Sequence, residues 1–260
     1  MTHRSEGQFH PKAWMQEGWQ LYASAKSSRA NWILKRKKIL RRTGNHHLRH
    51  LDMSALEGLA KSSFLLLGYS LEMFLKAGLA KLYAGCSEEL FQEDIRKVFS
   101  HRYAIAADAL AFPTATTDHA DFDLLSRAVL ADARYPVAPG TGTLAHLENE
   151  RRNLMWNRAN FFRLRQLVLR VRKFVEKVDS DRTNMANVTR IAMDIDGYLT
   201  CRTGGNLPHR ITYRFSTAQR SLKEDDLDLL RAQIEGDPTF VRIRLAWPSA
   251  VLHEDKIKPR

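Results

Sequence analysis

The sequence predicts a mainly α-helical protein with a small α+β module at its C-terminal end. Apolar residues recur at three- and four-residue steps over most of the first 180 residues, as they do on one face of a helix. After Asp179 the pattern changes to strict alternation, which is typical of strands. A chain of 260 residues suits one large domain with a small appendage. We therefore predict a helical domain over residues 1–180 and a strand–strand–helix–strand module over residues 186–260.

The helical domain contains six segments with helical periodicity and recognisable end signals. Ser87 is placed to start the third segment, Ser100 to cap the fourth, and Gly85 to end the second. The second segment is apolar on nearly all sides over residues 64–83, so we expect it to be the most buried element. An irregular loop is predicted over residues 136–142, which are rich in proline and glycine. The predicted helices span residues 12–42, 52–84, 87–98, 103–111, 121–132 and 144–178.

The last of these helices carries two stripes. An apolar stripe is formed by Leu154, Phe161, Leu164, Val168, Val171, Val175 and Val178. A basic stripe beside it is formed by arginines spaced seven residues apart: Arg151, Arg158, Arg165 and Arg172. A coiled pair of helices at a dimer interface satisfies this pattern, and so does the more common case of a core helix with a basic flank.

The alternating segments after Asp179 predict half-exposed strands over residues 191–195, 211–215 and 241–245. A turn at residues 204–206 is expected between the first two strands. Ser221 and Glu224 match a capping box for a helix that begins near Leu227 and ends at residues 236–238. Asp194 and Asp196 are expected to share a polar face with arginines, which favours ion pairs across strands over a metal site.

Positive charge is concentrated in two runs that contain no acidic residue. Residues 29–50 and residues 151–173 each hold eight lysines and arginines, whereas the net charge of the whole chain is only +12. Concentrated positive charge attracts polyanions. The runs therefore indicate either a nucleic-acid or nucleotide partner or, as for most charge runs, a solvated helix face.

The remaining composition favours a soluble, cytoplasmic protein without cofactor or metal. Cys86 and Cys201 are too few for a disulfide framework or a four-ligand zinc site. The longest uncharged apolar run, residues 62–71, is half the length of a membrane span. His46, His47 and His50 have one carboxylate nearby, so a solvated loop is a simpler interpretation than a metal site.

Three segments of the helical domain resemble the higher eukaryotes and prokaryotes nucleotide-binding (HEPN) family. Residues 68–77 resemble the second helix of the family, in which an acidic residue, here Glu72, precedes a Leu-Lys-Ala step. His101 is similar to a histidine that opens a later helix in the family. Arg134-Tyr135 resembles the segment found before the last long helix. The resemblance covers none of residues 186–260.

This resemblance implies an antiparallel helical bundle that forms a homodimer. Many HEPN proteins are metal-independent ribonucleases of bacterial toxin–antitoxin or anti-phage systems. Their motif is an arginine followed after four to six residues by a histidine, at the start of the last long helix. Arg152 and Asn153 occupy that place in this sequence, but Asn157 stands where a histidine is expected.

An asparagine amide does not titrate near neutral pH, so Asn157 cannot act as a general base. The resemblance therefore implies a degenerate ribonuclease motif, in which Arg152 binds phosphate and Asn153 and Asn157 add hydrogen bonds. The alternative for Asn157 is a buried polar residue that fixes helix register. The cations expected to surround this site are Arg151, Arg158, Arg165, Arg36, Lys37, Arg41 and Arg42.

Three functions remain open at this point. The first is RNA or nucleotide binding in a basic cleft, without cleavage. The second is an active ribonuclease in which Arg152 works with a histidine from elsewhere, such as His101 or His47. The third is a non-catalytic dimeric scaffold that docks a protein partner through the C-terminal module.

Overall fold

The chain folds into a helical bundle with a four-stranded sheet docked against one end of it. A computed structural model describes residues 9–42, 50–132 and 144–256. The bundle contains α1 (Pro11–Arg42), α2 (His50–Leu82), α3 (Glu88–Lys97), α4 (Tyr103–Ala109), α5 (Asp118–Arg127), α6 (Leu144–Trp156) and α7 (Arg158–Lys177). The C-terminal part contains β1 (Asn187–Met193), β2 (Gly197–Thr203), β3 (Arg210–Arg214), α8 (Thr217–Ser221), α9 (Leu227–Gly236), α10 (Val241–Ala246) and β4 (Val251–Glu254).

Helices α1 and α2 form an antiparallel hairpin that sets the axis of the bundle. The Ser70 hydroxyl donates to the Gly18 carbonyl at 2.7 Å, and Lys35 lies 3.4 Å from Asp52 near the other end. A Cβ atom at Gly18 would lie 2.7 Å from the ring of Phe74, so glycine permits the two helices to approach this closely. The close packing of the hairpin therefore determines which face of α1 is buried against α2 and which face remains exposed.

Helix α7 lies parallel to α2 and antiparallel to α1. The rings of Phe64 and Phe161 lie 5.7 Å apart, and at the other end Lys81 donates to the carbonyls of Val175 and Val178 at 2.8 and 2.7 Å. Lys81 thereby satisfies carbonyl groups that a helix leaves open at its C-terminus. The apolar stripe of α7 faces α2, and α7 presents one flank to α1.

The predicted positions of the first five helices agree with the structure to within a few residues. Ser87 caps α3 by accepting from the backbone N–H of Leu90. The predicted cap at Ser100 is wrong, because Arg102 occupies the N-cap position of α4 and makes no side-chain capping bond. The segment predicted over residues 121–132 is α5 followed by one π-helical turn, Ala128–Asp132. The predicted loop over residues 136–142 lies outside the described residues.

Helix α2 is the central element, as its composition predicts. Its segment Leu51–Leu82 could cross a membrane by length and composition alone, but 72% of its most apolar window is buried within the protein. Phe64, Leu67, Leu71 and Phe74 have no accessible surface. This degree of burial is the pattern of a core helix.

The sheet has the strand order β1-β2-β3-β4. The β1–β2 and β2–β3 pairs are antiparallel and the β3–β4 pair is parallel. The predicted turn at residues 204–206 therefore joins β2 to β3, and β2 is a strand that the alternation did not reveal. The predicted strand over residues 241–245 is wrong, because this segment forms α10 and only Ile243 of its apolar residues is buried. Five alternating residues are too few to distinguish the two periods.

The predicted capping box of Ser221 and Glu224 is also wrong. The capping box of this region joins Ser216 and Gln219 at the start of α8, and Asp226 caps α9. Asp196 lies in the β1–β2 turn, where it accepts a hydrogen bond from the Thr217 N–H at 2.9 Å. The expected ion pairs of Asp194 and Asp196 with strand arginines therefore do not form.

Strand β1 alternates between half-buried and exposed residues, as predicted. Strands β2 and β3 are buried on both faces, so the prediction of a half-exposed strand over residues 211–215 is wrong. One face carries apolar residues, including Leu199 and Ile211, and packs against α9 and α10. The other face is polar and packs against the bundle. Arg202 donates to the Lys81 carbonyl at 2.9 Å, and Arg214 pairs with the buried Asp255. A polar interface of this kind fixes the orientation of the module.

Candidate nucleic-acid interface

The long helix predicted over residues 144–178 is interrupted at Asn157. This residue has φ −70° and ψ 120°, outside the helical region, and its Oδ1 accepts from the backbone N–H of Ala159 at 2.8 Å and of Asn160 at 3.4 Å. Asn157 is therefore the N-cap of α7, and its side chain is exposed. The interpretation as a buried residue that fixes register is wrong. The amide oxygen is already used by the backbone of its own helix.

The interruption creates a C-terminus of α6, and Arg29 of α1 satisfies it. Its Nη1 donates to the Met155 carbonyl at 2.7 Å, and its Nη2 donates to the carbonyls of Trp156 and Asn157 at 3.3 and 3.1 Å. The guanidinium also lies 4.3 Å from the centre of the Trp32 ring. A cation at this position is favoured by the helix dipole. Arg29 is only 4% exposed, so its first role is structural.

The pKa of Arg29 also reflects the positive charges around it. Burial, together with the charges of Arg158 and Arg36, lowers the pKa of Arg29 to about 10. The side chain therefore stays charged at neutral pH, and like charges surround it. This repulsion marks the region between α1 and the start of α7 as strongly positive.

Arg152 is held by a carboxylate of the protein itself. Its Nε and Nη2 lie 2.9 and 2.7 Å from Oε1 of Glu57 on α2, and its Nη1 lies 3.2 Å from Asn149. Asn153, beside it, is exposed. Arg151 and Arg152 line a small pocket of about 170 Å³ together with Lys61, Met155 and Trp156. The structure thus places the motif arginine in an ion pair across α2 and α6.

The far flank of α7 is neutralised by α5. Arg163 Nε lies 3.0 Å from both carboxylate oxygens of Asp121, and Arg170 pairs with Asp118. Both aspartates are buried. The basic run of residues 151–173 contains no acidic residue, but the fold supplies two from another helix. These arginines hold the bundle together and are not available as a free anion-binding surface.

The near flank of α7 forms a groove with α1 that contains no carboxylate. We call it the α1–α7 groove; its volume is about 280 Å³, and it is lined by Lys26, Arg29, Ala30, Ile33, Arg158, Phe161, Phe162 and Arg165. Within the described part of the chain, no acidic side chain lies within ion-pair distance of Arg158 or Arg165. Phe162 is 55% exposed, and the guanidinium of Arg165 lies 5.1 Å from its ring centre. Cations and an open aromatic ring thus share one surface.

Further basic side chains lie beyond both ends of the groove. Arg36 lies 5.3 Å from the centre of the Trp32 ring, and Lys37 and Arg41 are exposed on the following turns. Arg42 ends α1, and its side chain lies outside the described part. At the opposite end, Arg172 lies 3.9 Å from the centre of the Trp19 ring, although it also pairs with Glu176.

The structure separates His101 from Arg152. His101 Nδ1 lies 2.8 Å from Oε2 of Glu72, which also pairs with Lys76 at 2.7 Å. Two of the segments that resemble the HEPN family therefore meet through Glu72, whereas Arg134-Tyr135 lies outside the described residues. Glu72 and Glu57 are fifteen residues apart on α2, about 22 Å along a helix. His101 cannot serve Arg152 within one chain. His46 and His47 lie outside the described residues.

The sequence patterns did not reveal Lys26 and Phe162 as members of the groove. Phe162 follows Phe161 in the chain but lies outside the apolar stripe of α7. An aromatic residue outside the apolar stripe was the one sequence feature that could have indicated an exposed ring. Lys26 precedes the first basic run by three residues, and only the pairing of α1 with α7 brings it beside Arg158.

Comparisons of the chain with family models, with curated proteins and with solved structures gave no significant match. The interpretation of the site therefore depends on its geometry and on the sequence resemblance given above.

Proposed function

We propose that this protein binds single-stranded RNA in the α1–α7 groove and holds it without cleaving it. The observation that carries the proposal is the lining of the groove. The lining brings Lys26, Arg29, Arg158 and Arg165 onto one surface with the exposed ring of Phe162 and contains no carboxylate. A phosphate chain relieves the repulsion among these cations and releases counterions when it binds. An exposed aromatic ring offers a surface on which a base can stack.

Single-stranded RNA fits this groove better than a free nucleotide or a duplex. The cations follow the direction of α7, from Arg158 to Arg165 one heptad later, about 10 Å along the helix. A flexible strand can follow such a row while it turns one base toward Phe162. A rigid duplex presents its bases to one another and offers none for stacking.

The geometry favours a binding protein over a ribonuclease. Arg152 is paired with Glu57, and Asn157 uses its amide oxygen to cap α7. Cleavage through the 2′-hydroxyl of RNA requires a group that transfers protons near neutral pH, and neither residue supplies one. His101 is tied to Glu72 far along α2.

The sequence resemblance to the HEPN family supports placing this function in a bacterial defence or toxin–antitoxin system and assigning a homodimer. Sedimentation of the purified chain tests the dimer. The RNA proposal does not require it, because all residues of the groove belong to one chain.

Binding of a short fluorescein-labelled oligouridine, followed by fluorescence anisotropy over a range of salt concentrations, tests the proposal. We expect log affinity to fall linearly with log salt, with a slope of about two if three phosphates are neutralised. Arg158→Ala and Arg165→Ala should each reduce the slope by about 0.7, and Phe162→Ala should weaken binding by about tenfold. Arg242→Ala, which removes an exposed arginine of α10, is the matched control and should change neither quantity.

The same RNA, incubated with the protein and separated on a denaturing gel, should remain intact. Absent or salt-insensitive binding would reject the groove as an RNA site. Cleavage that disappears in Arg152→Ala would instead establish the enzyme.

A further inference from the structure

A second concave site lies in the C-terminal module, on the side of the sheet that faces away from the bundle. Its volume is about 390 Å³. Its walls are mainly apolar and come from β1, β2, α8, α9 and the segment before α10: Ile191, Met193, Leu199, Leu222, Ile234 and Phe240. Leu222 is 68% exposed, so the apolar surface is open to an incoming group. The α1–α7 groove shares no residue with this site.

The pocket lies beside an open edge of the sheet. β1 is the first strand in the order β1-β2-β3-β4, and within the described residues it pairs with β2 alone. Consecutive residues 191–194, at the end of β1, belong to the lining of the pocket. A strand edge offers backbone donors and acceptors to another extended segment. Hydrogen-bonding groups and an apolar recess are therefore available side by side.

The charge of the pocket is opposite to that of the chain. Its lining contains Asp194 and Glu224 and no basic residue, although the protein carries a net charge of +12. Asp225, Asp226 and Asp228 follow Glu224 in the chain, and all are exposed. This local acidity repels the nucleic acid that the bundle attracts. It favours a ligand that carries lysine or arginine.

We propose that this site docks an extended basic peptide segment of a partner protein. The segment adds to the free edge of β1, inserts an apolar side chain between the sheet and α9, and places a basic side chain near Asp194 and Glu224. The two basic runs of a second copy do not supply such a segment, because their described parts, residues 29–42 and 151–173, are helical except for Asn157 and cannot add a strand.

A synthetic peptide that alternates lysine with valine, labelled with fluorescein, is the probe. We expect saturable binding to the full chain, and at least about tenfold weaker binding to Ala218→Trp, which fills the pocket, and to Glu224→Lys, which reverses its charge. Ala232→Trp, on the exposed part of α9, and Glu89→Lys, on α3, are the matched controls and should bind as the parent protein does. A peptide with glutamate in place of each lysine should not bind.

Circular dichroism establishes whether Ala218→Trp keeps the fold, and Glu224→Lys tests the proposal independently of it. Absence of binding, equal binding to the pocket variants and their controls, or equal binding of the glutamate peptide would overturn the proposal. Sedimentation that shows a dimer lost in Ala218→Trp would also overturn it, because a second copy would then occupy the site.

Discussion

Arg152 and Glu57 form an ion pair between α6 and α2, with Nε and Nη2 of the arginine at 2.9 and 2.7 Å from one carboxylate oxygen. Each side chain is one-third exposed. In a HEPN-like ribonuclease this guanidinium would bind phosphate, but here it is paired with a carboxylate of the protein itself. A partly exposed ion pair of this kind contributes about 1 kcal/mol or less to stability, so it can be removed without unfolding the bundle.

Removal of this carboxylate should strengthen RNA binding. Arg152 lies outside the α1–α7 groove but only six residues before Arg158, so a strand that extends past Arg158 toward α6 can reach it. In Glu57→Gln the guanidinium of Arg152 loses its charged partner, and we expect tighter oligouridine binding with a salt slope steeper by about 0.7. Fluorescence anisotropy measures both quantities. Glu150→Gln, at an exposed position of α6, removes the same charge and is the control. Equal effects of the two substitutions would show that net charge, and not Arg152, is responsible.

The sequence revealed the two basic runs but not the carboxylates that neutralise part of them. Glu57, Asp118 and Asp121 lie far along the chain from the arginines that they pair with. Such pairing depends on which helix faces meet, and local composition does not contain that information. The separation of α7 into a paired flank and an open flank therefore required the structure.

Helix positions were predictable because apolar periodicity over long segments is a strong signal. The interruption at Asn157 was not predicted, although asparagine is among the preferred N-cap residues. Apolar spacing continues through the interruption, from Leu154 to Phe161, and conceals it. The polar face of β3, with Thr212 and Arg214, was expected to face solvent because nothing local indicates that a second element covers it.

Restoration of a histidine at position 157 should not restore a ribonuclease. Asn157→His removes the oxygen that accepts from Ala159 and Asn160, and we expect a loss of about 1 kcal/mol in unfolding free energy. Asn157→Asp keeps the acceptor and should be neutral or slightly stabilising, because a negative charge is favoured at a helix N-terminus. Urea denaturation measures stability, and a denaturing gel measures RNA cleavage. Cleavage by the histidine variant would show that the Arg152–Glu57 ion pair does not prevent Arg152 from acting in catalysis.

Asp94 should make stability depend on pH in the acid range. Burial acts to raise the pKa of Asp94, but His253 and the hydrogen bond from the Tyr83 hydroxyl at 2.7 Å outweigh it, so its pKa lies below the ordinary value. In the unfolded chain the pKa of an aspartate is about 4. Because the pKa of Asp94 is lower in the folded protein, its carboxylate stabilises the fold fully at pH values above about 4, and this stabilisation is lost as the pH falls below that value.

Urea unfolding of the parent protein and of Asp94→Asn over a pH series tests this dependence. The unfolding free energy of the parent should fall more steeply below about pH 4 than that of the variant. Asp225→Asn, at an exposed position, should leave the parent curve unchanged. Parallel curves for the parent and Asp94→Asn would show that Asp94 does not link proton binding to folding.

Arg29 should be the most costly of the basic residues to remove. Arg29→Met leaves three carbonyl groups at the α6–α7 junction without their donor, and we expect a loss of about 2–4 kcal/mol in unfolding free energy. Arg29→Lys should recover part of this, because it keeps the charge but not the planar fork. Arg36→Met removes an exposed cation from the same Trp32 ring and should cost about 0.5 kcal/mol or less. Similar losses for Arg29→Met and Arg36→Met in urea denaturation would show that stacking on Trp32, and not the carbonyl contacts, determines the contribution of Arg29.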